Sequence, residues 1–143
     1  MKIAAIDYGL KRVGLAISDD LGMFAHPVPA IEANGINKQA EAVVAKLKEL
    51  GAERVLVGLP KNMDGTEGSS ARDARVFAEK LKAAFAGDVR LVDERLSTVE
   101  ASRKLREGGV SAKKQRQGGR IDSGAAVVIL QGHLDAAPPM SGP

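Results

Sequence analysis

Three carboxylates stand at points of the chain where chemistry gathers in open sheets. Asp7 breaks the apolar run Ile3-Ala4-Ala5-Ile6, Glu94 ends the run Leu91-Val92-Asp93, and Asp122 opens the last long apolar stretch. Any one of them alone reads equally as a helix cap or a solvated acid. Brought together they repel: at ~5 Å and an effective dielectric of ~20, each pair of unit charges costs about 3 kcal/mol. A cation relieves that repulsion. Oxygen-only ligands select a hard ion, Mg2+ or Mn2+. Two such ions about 4 Å apart can activate a water and stabilise the leaving oxygen in phosphodiester hydrolysis. Asp7, Glu94 and Asp122 are therefore candidate metal ligands and candidate catalytic acids.

Other chemistries find few residues to use. His26 lies beside Pro27 and His133 within the last apolar stretch, and both read as structural or exposed. Ser97 and Thr98 have no neighbouring His, and no serine-hydrolase elbow occurs. Cysteine is absent, which excludes disulfides, thiolate catalysis and Cys-built zinc sites and suits a reducing compartment. The stretch from Asp7 to Gly14 could also open the phosphate loop of an actin-like or sugar-kinase-type ATPase. Those folds need two lobes and far more chain than 143 residues.

The charge balance mildly favours a polyanionic partner, although basic surfaces are common in ordinary proteins. The net charge is +3 and the pI about 9.3. With no Trp, one Tyr and three Phe, stacking platforms are scarce, so contacts to nucleic acid fall mainly on its backbone. The stretch from Gly108 to Arg120 carries Lys113, Lys114, Arg116 and Arg120, four glycines and no acid. It reads as a mobile loop leading into the segment of Asp122. These four cations, with Lys11, Arg12 and Arg95, are candidate nucleic-acid contacts. A non-catalytic nucleic-acid-binding module is the alternative; it would need the basic loop but not the acids.

The elements that must position these residues follow from periodicity. Lys2–Tyr8 and Arg12–Ser18 read as a hairpin about Gly9-Leu10-Lys11, and Gly22–Ile31 as a third strand that Pro27 and Pro29 push to an edge. Asn37–Leu50 has helical spacing stopped by Gly51, and Arg54–Leu59 is a short strand ended by Pro60. A turn-rich loop through Asp64 precedes a helix starting at Ser70 with Asp73. Its apolar face is Ala74, Phe77, Ala78, Leu81 and Phe85, and Gly87 is placed to end it. Val89–Asp93 is a strand, Ser97 with Glu100 has capping-box spacing for a helix to about Glu107, and Ile121–Asp135 is an apolar helix buried on several sides. The expected architecture is α/β: a mixed five-stranded sheet, three antiparallel strands then two parallel, flanked by helices. One domain spans 1–136, and the Pro-rich tail 137–143 reads as disordered. In this topology Glu94 ends a strand two positions from that of Asp7, about 10 Å away at ~4.8 Å per strand. Their side chains must lean together, or Asp64 or Asp93 contributes instead.

The motifs resemble the YqgF/RuvX family. Asp7-Tyr8-Gly9 with Arg12, Gly14 and Ala16 matches its opening block. Val57-Gly58-Leu59-Pro60 and Met63-Asp64-Gly65-Thr66 with Gly68 match the second. Asp93-Glu94-Arg95 with Ser97-Thr98 and Ala101 is similar to the third, and Ile121-Asp122, Ala125-Ala126 and Ile129-Leu130-Gln131 to the fourth. The resemblance covers residues 1 to about 135, in order. It implies a ribonuclease H-like fold related to the RuvC resolvases. It also implies a nuclease acting in 5′-end maturation of the small-subunit ribosomal RNA precursor, in Holliday-junction resolution, or in both. The implied catalytic acids fall on Asp7, Glu94 and Asp122. One turn beyond Asp122 stands Ala125, where many relatives in the wider fold carry a fourth acid. That implies a second ion held less firmly than the first. A resolvase making symmetric cuts would be a two-fold homodimer, which RNA trimming does not require. The family implies a bacterial, cytoplasmic protein. The N-terminus does not read as a secretory signal, and no apolar run is long enough to cross a membrane.

Overall fold

The computed structural model describes residues 1–94 and 121–136. Among them are five strands, β1 (Ile3–Asp7), β2 (Arg12–Ser18), β3 (Ala25–Glu32), β4 (Arg54–Leu59) and β5 (Asp88–Asp93), and three helices, α1 (Ile36–Leu50), α2 (Ser69–Ala84) and α3 (Ile121–Ala136). The strands form one sheet in the order β3-β2-β1-β4-β5. β1 pairs antiparallel with β2 and β2 with β3, whereas β4 runs parallel to β1 and to β5. This is the mixed sheet expected from the sequence. The expected helix from Ser97, the loop Gly108–Arg120 and the tail lie outside the described residues.

Both faces of the sheet are covered, which is why the interior strands read as almost unbroken apolar runs. Alternation sorts their side chains. Ala4, Ile6, Val55, Val57 and Leu59 pack with Val43 and Leu47 of α1 and with Phe77 and Leu81 of α2. Ile3, Ala5, Ala16 and Leu56 pack with Ala126, Ile129 and Leu130 of α3. The small residues Ala5, Ala16 and Ala126 let α3 lie close to the sheet. From Ser123 to Leu134 no residue of α3 is fully exposed.

Element ends depart from expectation in three places, each for a local reason. β3 starts at Ala25 rather than Gly22, because the Asp19 carboxylate accepts from the Met23 and Phe24 amides and closes a turn there. α2 begins at Ser69 behind Gly68, so neither Ser70 nor Asp73 caps it. It ends at Ala84, ahead of Gly87, and Phe85 at its end is extended. Gly87 serves a different need: a Cβ there would stand 2.4 Å from the Glu53 carbonyl oxygen, where the chain enters β5 beside the start of β4. Gly51 does cap α1 as expected, in the left-handed region at φ 74°.

α3 is pinned at both ends. Near its start, the buried Ser123 hydroxyl donates to the Val28 carbonyl at 2.6 Å and accepts from the Leu15 amide at 3.4 Å. These groups adjoin the point where the β2–β3 register slips between Val13 and Leu15, so the hydroxyl ties α3 to the irregular part of the ladder. Near its end, Gln131 accepts from the Ala25 amide and donates to the Met23 carbonyl. α3 thus runs from the Asp7 end of the sheet to the opposite end. There the half-buried His133 meets Arg54 and Arg90, both bonded to the Asp88 carboxylate. Burial, then the charges of Arg54 and Arg90, hold the His133 imidazole below its ordinary 6.5.

Two outcomes follow. Ser123→Ala leaves the Val28 carbonyl and Leu15 amide buried without that partner and should cost about 1–3 kcal/mol in urea unfolding; a loss near zero would show that α3 does not depend on this hydroxyl. Because the unfolded chain protonates His133 at higher pH than the folded one, the stability at this site is intact above pH 6.5 and is lost as the pH falls below it. Between about pH 7.5 and about pH 5.5, wild type should therefore lose more stability than His133→Gln, and equal losses would contradict the assignment.

Candidate active site

The carboxyl ends of β1, β4 and β5 share one edge of the sheet, the edge where open α/β sheets collect ligands. The register sets Ile6 beside Val57, Val57 beside Leu91 and Gly58 beside Val92. One step beyond Ile6, Asp7 falls level with Gly58. Ile6 faces α1 and α2, so alternation turns Asp7 toward the α3 face. Glu94, following Asp93 at the end of β5, is turned the same way.

The carboxylate of Glu94 is buried: the residue is 5% exposed and both oxygens are covered. It lies over Gly58. A Cβ built on Gly58 would stand 3.2 Å from Glu94 Oε2 and 2.7 Å from Ile129 Cδ1. Gly58 is the position on β4 between the strands of Asp7 and Glu94, and its missing side chain is what lets Glu94 reach inward across β4. The Glu94 side chain thereby covers part of the separation of about two strand spacings.

Asp122 lies in the first turn of α3; its side chain is outside the described residues. Its neighbour Ser123 bonds Leu15, which is paired with Ile6, so the start of α3 comes to the edge that carries Asp7. Ala125, one turn from Asp122, is buried. Among the described residues, which do not include the Asp122 side chain, no three of Asp, Glu, His or Cys gather closely enough to hold a metal ion.

Asp93 belongs to the other face, where its charge acts on Glu67. The Glu67 carboxyl is nonetheless held below its ordinary range, first by its hydrogen bonds from Arg75 at 2.6 Å. Asp64 braces its own loop, with Oδ1 accepting from the Thr66 amide at 3.0 Å and hydroxyl at 2.7 Å. Lys11 and Arg12 are exposed on the turn after Asp7, and Arg12 pairs with Glu32 at 3.2 Å. Arg95, Lys113, Lys114, Arg116 and Arg120 lie outside the described residues. His26 is exposed on β3 and His133 stands at the far end of α3, so neither enters the site.

Two contributors escape a reading by residue type. Gly58 carries no chemistry of its own, although a glycine inside an apolar strand signals a close approach. Gln39 is a fully buried amide on the apolar face of α1.

A mixed sheet in this order, faced by helices on both sides with Asp7 and Glu94 at one edge, defines a ribonuclease H-like α/β protein. Solved structures bear out the fold. The chain is similar to Thermus thermophilus RuvC in complex with a Holliday junction substrate, at TM-score 0.55 and 16% identity, covering 95% of this chain and 94% of that one. It is also similar to the fowlpox virus Holliday junction resolvase, at TM-score 0.51 and 13% identity, covering 94% and 96%. The model of the RuvX family, described as Holliday junction resolvase, matches residues 1–136, and the chain belongs to that family. A relative from Anaeromyxobacter sp. (strain Fw109-5), named "Putative pre-16S rRNA nuclease", is 47% identical over 135 residues, 94% of this chain and 97% of its own length. One from Halothermothrix orenii with the same name is 43% identical, covering 94% and 95%.

The crowding at Gly58 has a measurable signature. Gly58→Ala forces Ile129 and Glu94 to move and should cost about 1–3 kcal/mol, as overpacking does. In an Ile129→Val background, which lacks Cδ1, the same change should cost less. A strictly additive double-mutant cycle would show that the two side chains do not compete for this space.

Proposed function

We propose that the chain is a divalent-metal-dependent endonuclease that hydrolyses phosphodiester bonds in structured nucleic acid. Its reading as a nuclease rests on membership of the RuvX family. The metal reading rests on one observation: a buried glutamate carboxylate, on the face toward which Asp7 turns, packed over a glycine whose missing side chain lets it reach inward. Two carboxylates turned to one face of a sheet edge repel, and a cation held by both relieves that repulsion. The donors are all oxygens, which suits Mg2+ or Mn2+ rather than softer ions.

Asp7, Glu94 and Asp122 would hold the ion. When bound, it supplies positive charge against the charge that builds on the phosphate oxygens during cleavage. The chain supplies the rest. Glu94 is fixed by its packing over Gly58, and Asp7 by the end of β1. Lys11 and Arg12 stand on the adjacent turn, and together with Arg95 and the cations of 113–120 they would hold the phosphate backbone without reading sequence.

The name carried by relatives at 40–47% identity favours the small-subunit ribosomal RNA precursor as substrate, and the family description favours four-way DNA junctions. Both are structured polyanions that such an edge could engage by shape. Either substrate implies work in the cytoplasm, and among the described residues no helix is long and apolar enough to cross a membrane. The junction activity would further require a two-fold dimer.

Labelled precursor RNA and a labelled four-way junction, incubated with magnesium, manganese or chelator, test the proposal. Cleavage of one or both should need the metal. Asp7→Asn should keep the fold and lower single-turnover cleavage at least ~100-fold, with Glu94→Gln and Asp122→Asn close behind. Asp7→Asn should also raise the metal-free melting temperature and blunt its response to manganese. Near-normal cleavage by folded Asp7→Asn would overturn the assignment. Tight binding of either nucleic acid by wild type with no cleavage would favour a non-catalytic module.

A further inference from the structure

The chain turns sharply after Asp7, and that turn is held from inside the core. Gln39 of α1 is fully buried. A buried amide is tolerated only when its polar atoms find partners, and those of Gln39 find theirs on three consecutive residues. Its Oε1 accepts from the Tyr8 hydroxyl at 2.7 Å, and its Nε2 donates to the Gly9 carbonyl at 3.0 Å and the Leu10 carbonyl at 2.9 Å. Two carbonyl acceptors fix which end of the amide is nitrogen. A leucine would fill the core equally well, so the amide is there for the turn.

The rest of the turn is held as tightly. The Tyr8 ring stacks on Phe77 with centroids 4.6 Å apart. Burial, and then the charge of Asp73, push the Tyr8 phenol above its ordinary value, so it remains a donor. A Cβ on Gly9 would stand 2.6 Å from the Arg12 carbonyl oxygen, so the turn closes with no room for a side chain. The ladder of β1 ends where Asp7 pairs with Gly14. Past that point the clamp from α1 sets the direction of the chain.

We propose that Gln39 is a positioning residue: by clamping residues 8–10 to α1 it sets where the Asp7 carboxylate stands on the opposite face of the sheet. The inference rests on the reading of Asp7 as a metal ligand. Alternation makes the coupling direct, since Tyr8 points to α1 and α2 while Asp7 points to α3. Supports of this kind, one step behind a ligand, typically change metal affinity or activity 10- to 100-fold when removed.

Gln39→Met keeps the volume and removes all three bonds. Tyr8→Phe removes only the hydroxyl, keeps the ring on Phe77, and carries the test if Gln39→Met does not fold. Val43→Ala, a cavity in the same helix, controls for lost stability alone. Manganese affinity is measured by calorimetry without nucleic acid, single-turnover cleavage with saturating metal, and substrate binding in calcium. Gln39→Met should bind manganese about 10-fold more weakly and cleave about 10- to 100-fold more slowly, with substrate affinity unchanged. Tyr8→Phe should shift the same way by less, and Val43→Ala should lower the melting temperature without moving manganese affinity. If wild type binds manganese and cleaves, and both clamp variants match Val43→Ala in metal affinity and rate, the clamp is merely structural and the inference is overturned while the nuclease reading stands. If wild type neither binds manganese nor cleaves, the reading of Asp7 falls and takes the inference with it.

Discussion

The carboxylate of Glu94 is buried against the backbone of Gly58, and the arrangement of the sheet edge follows from that contact. Two acids on strands separated by a third begin about 10 Å apart, too far for one small cation to join unless the middle strand stands aside. At Gly58 it does: Glu94 Oε2 and Ile129 Cδ1 occupy the place that a side chain there would need. Glu94 and Asp7 turn to the same face of the edge where parallel strands end, and a cation between two carboxylates would offset their repulsion.

Two mounts hold the remaining parts of the site, and each uses buried polar atoms where an apolar core would have been simpler. Ser123 fixes the start of α3 to the slipped register of β2 and β3. Gln39 fixes the turn after Asp7 to α1. Both side chains are fully buried, and both bond backbone groups far away in sequence. Such groups tie an element to one position, whereas apolar contacts alone tolerate sliding. The three candidate acids thus stand at a strand end, on the residue after a strand and in the first turn of a helix.

Much of this is legible in the order of the residues. The apolar runs of β1, β4 and β5 and the helical spacing of α1 mark their elements clearly, because burial on both faces or on one stripe leaves a strong pattern. Asp7 and Glu94 stand out because each ends such a run. Glycine is harder to read. Gly51 ends its helix as expected, yet Gly87 does not, since what it avoids is a clash with the distant Glu53 carbonyl that no local pattern reveals. The ambiguity among Asp64, Asp93 and Glu94 also needs three dimensions. Only register and alternation send Asp93 to one face and Glu94 to the other. Gln39 is hidden for the same reason: on a helical wheel it is one polar residue beside an apolar stripe, and its partners lie about thirty residues earlier.

If Asp7 and Glu94 hold a cation between them, anomalous diffraction from crystals soaked in manganese will show it directly. A manganese peak is expected on the α3 face of the sheet, within ligand distance of a carboxylate oxygen of Asp7 and one of Glu94. A well-ordered soaked crystal with no peak there, or with its only peak on the opposite face near Asp93 and Glu67, would contradict the assignment.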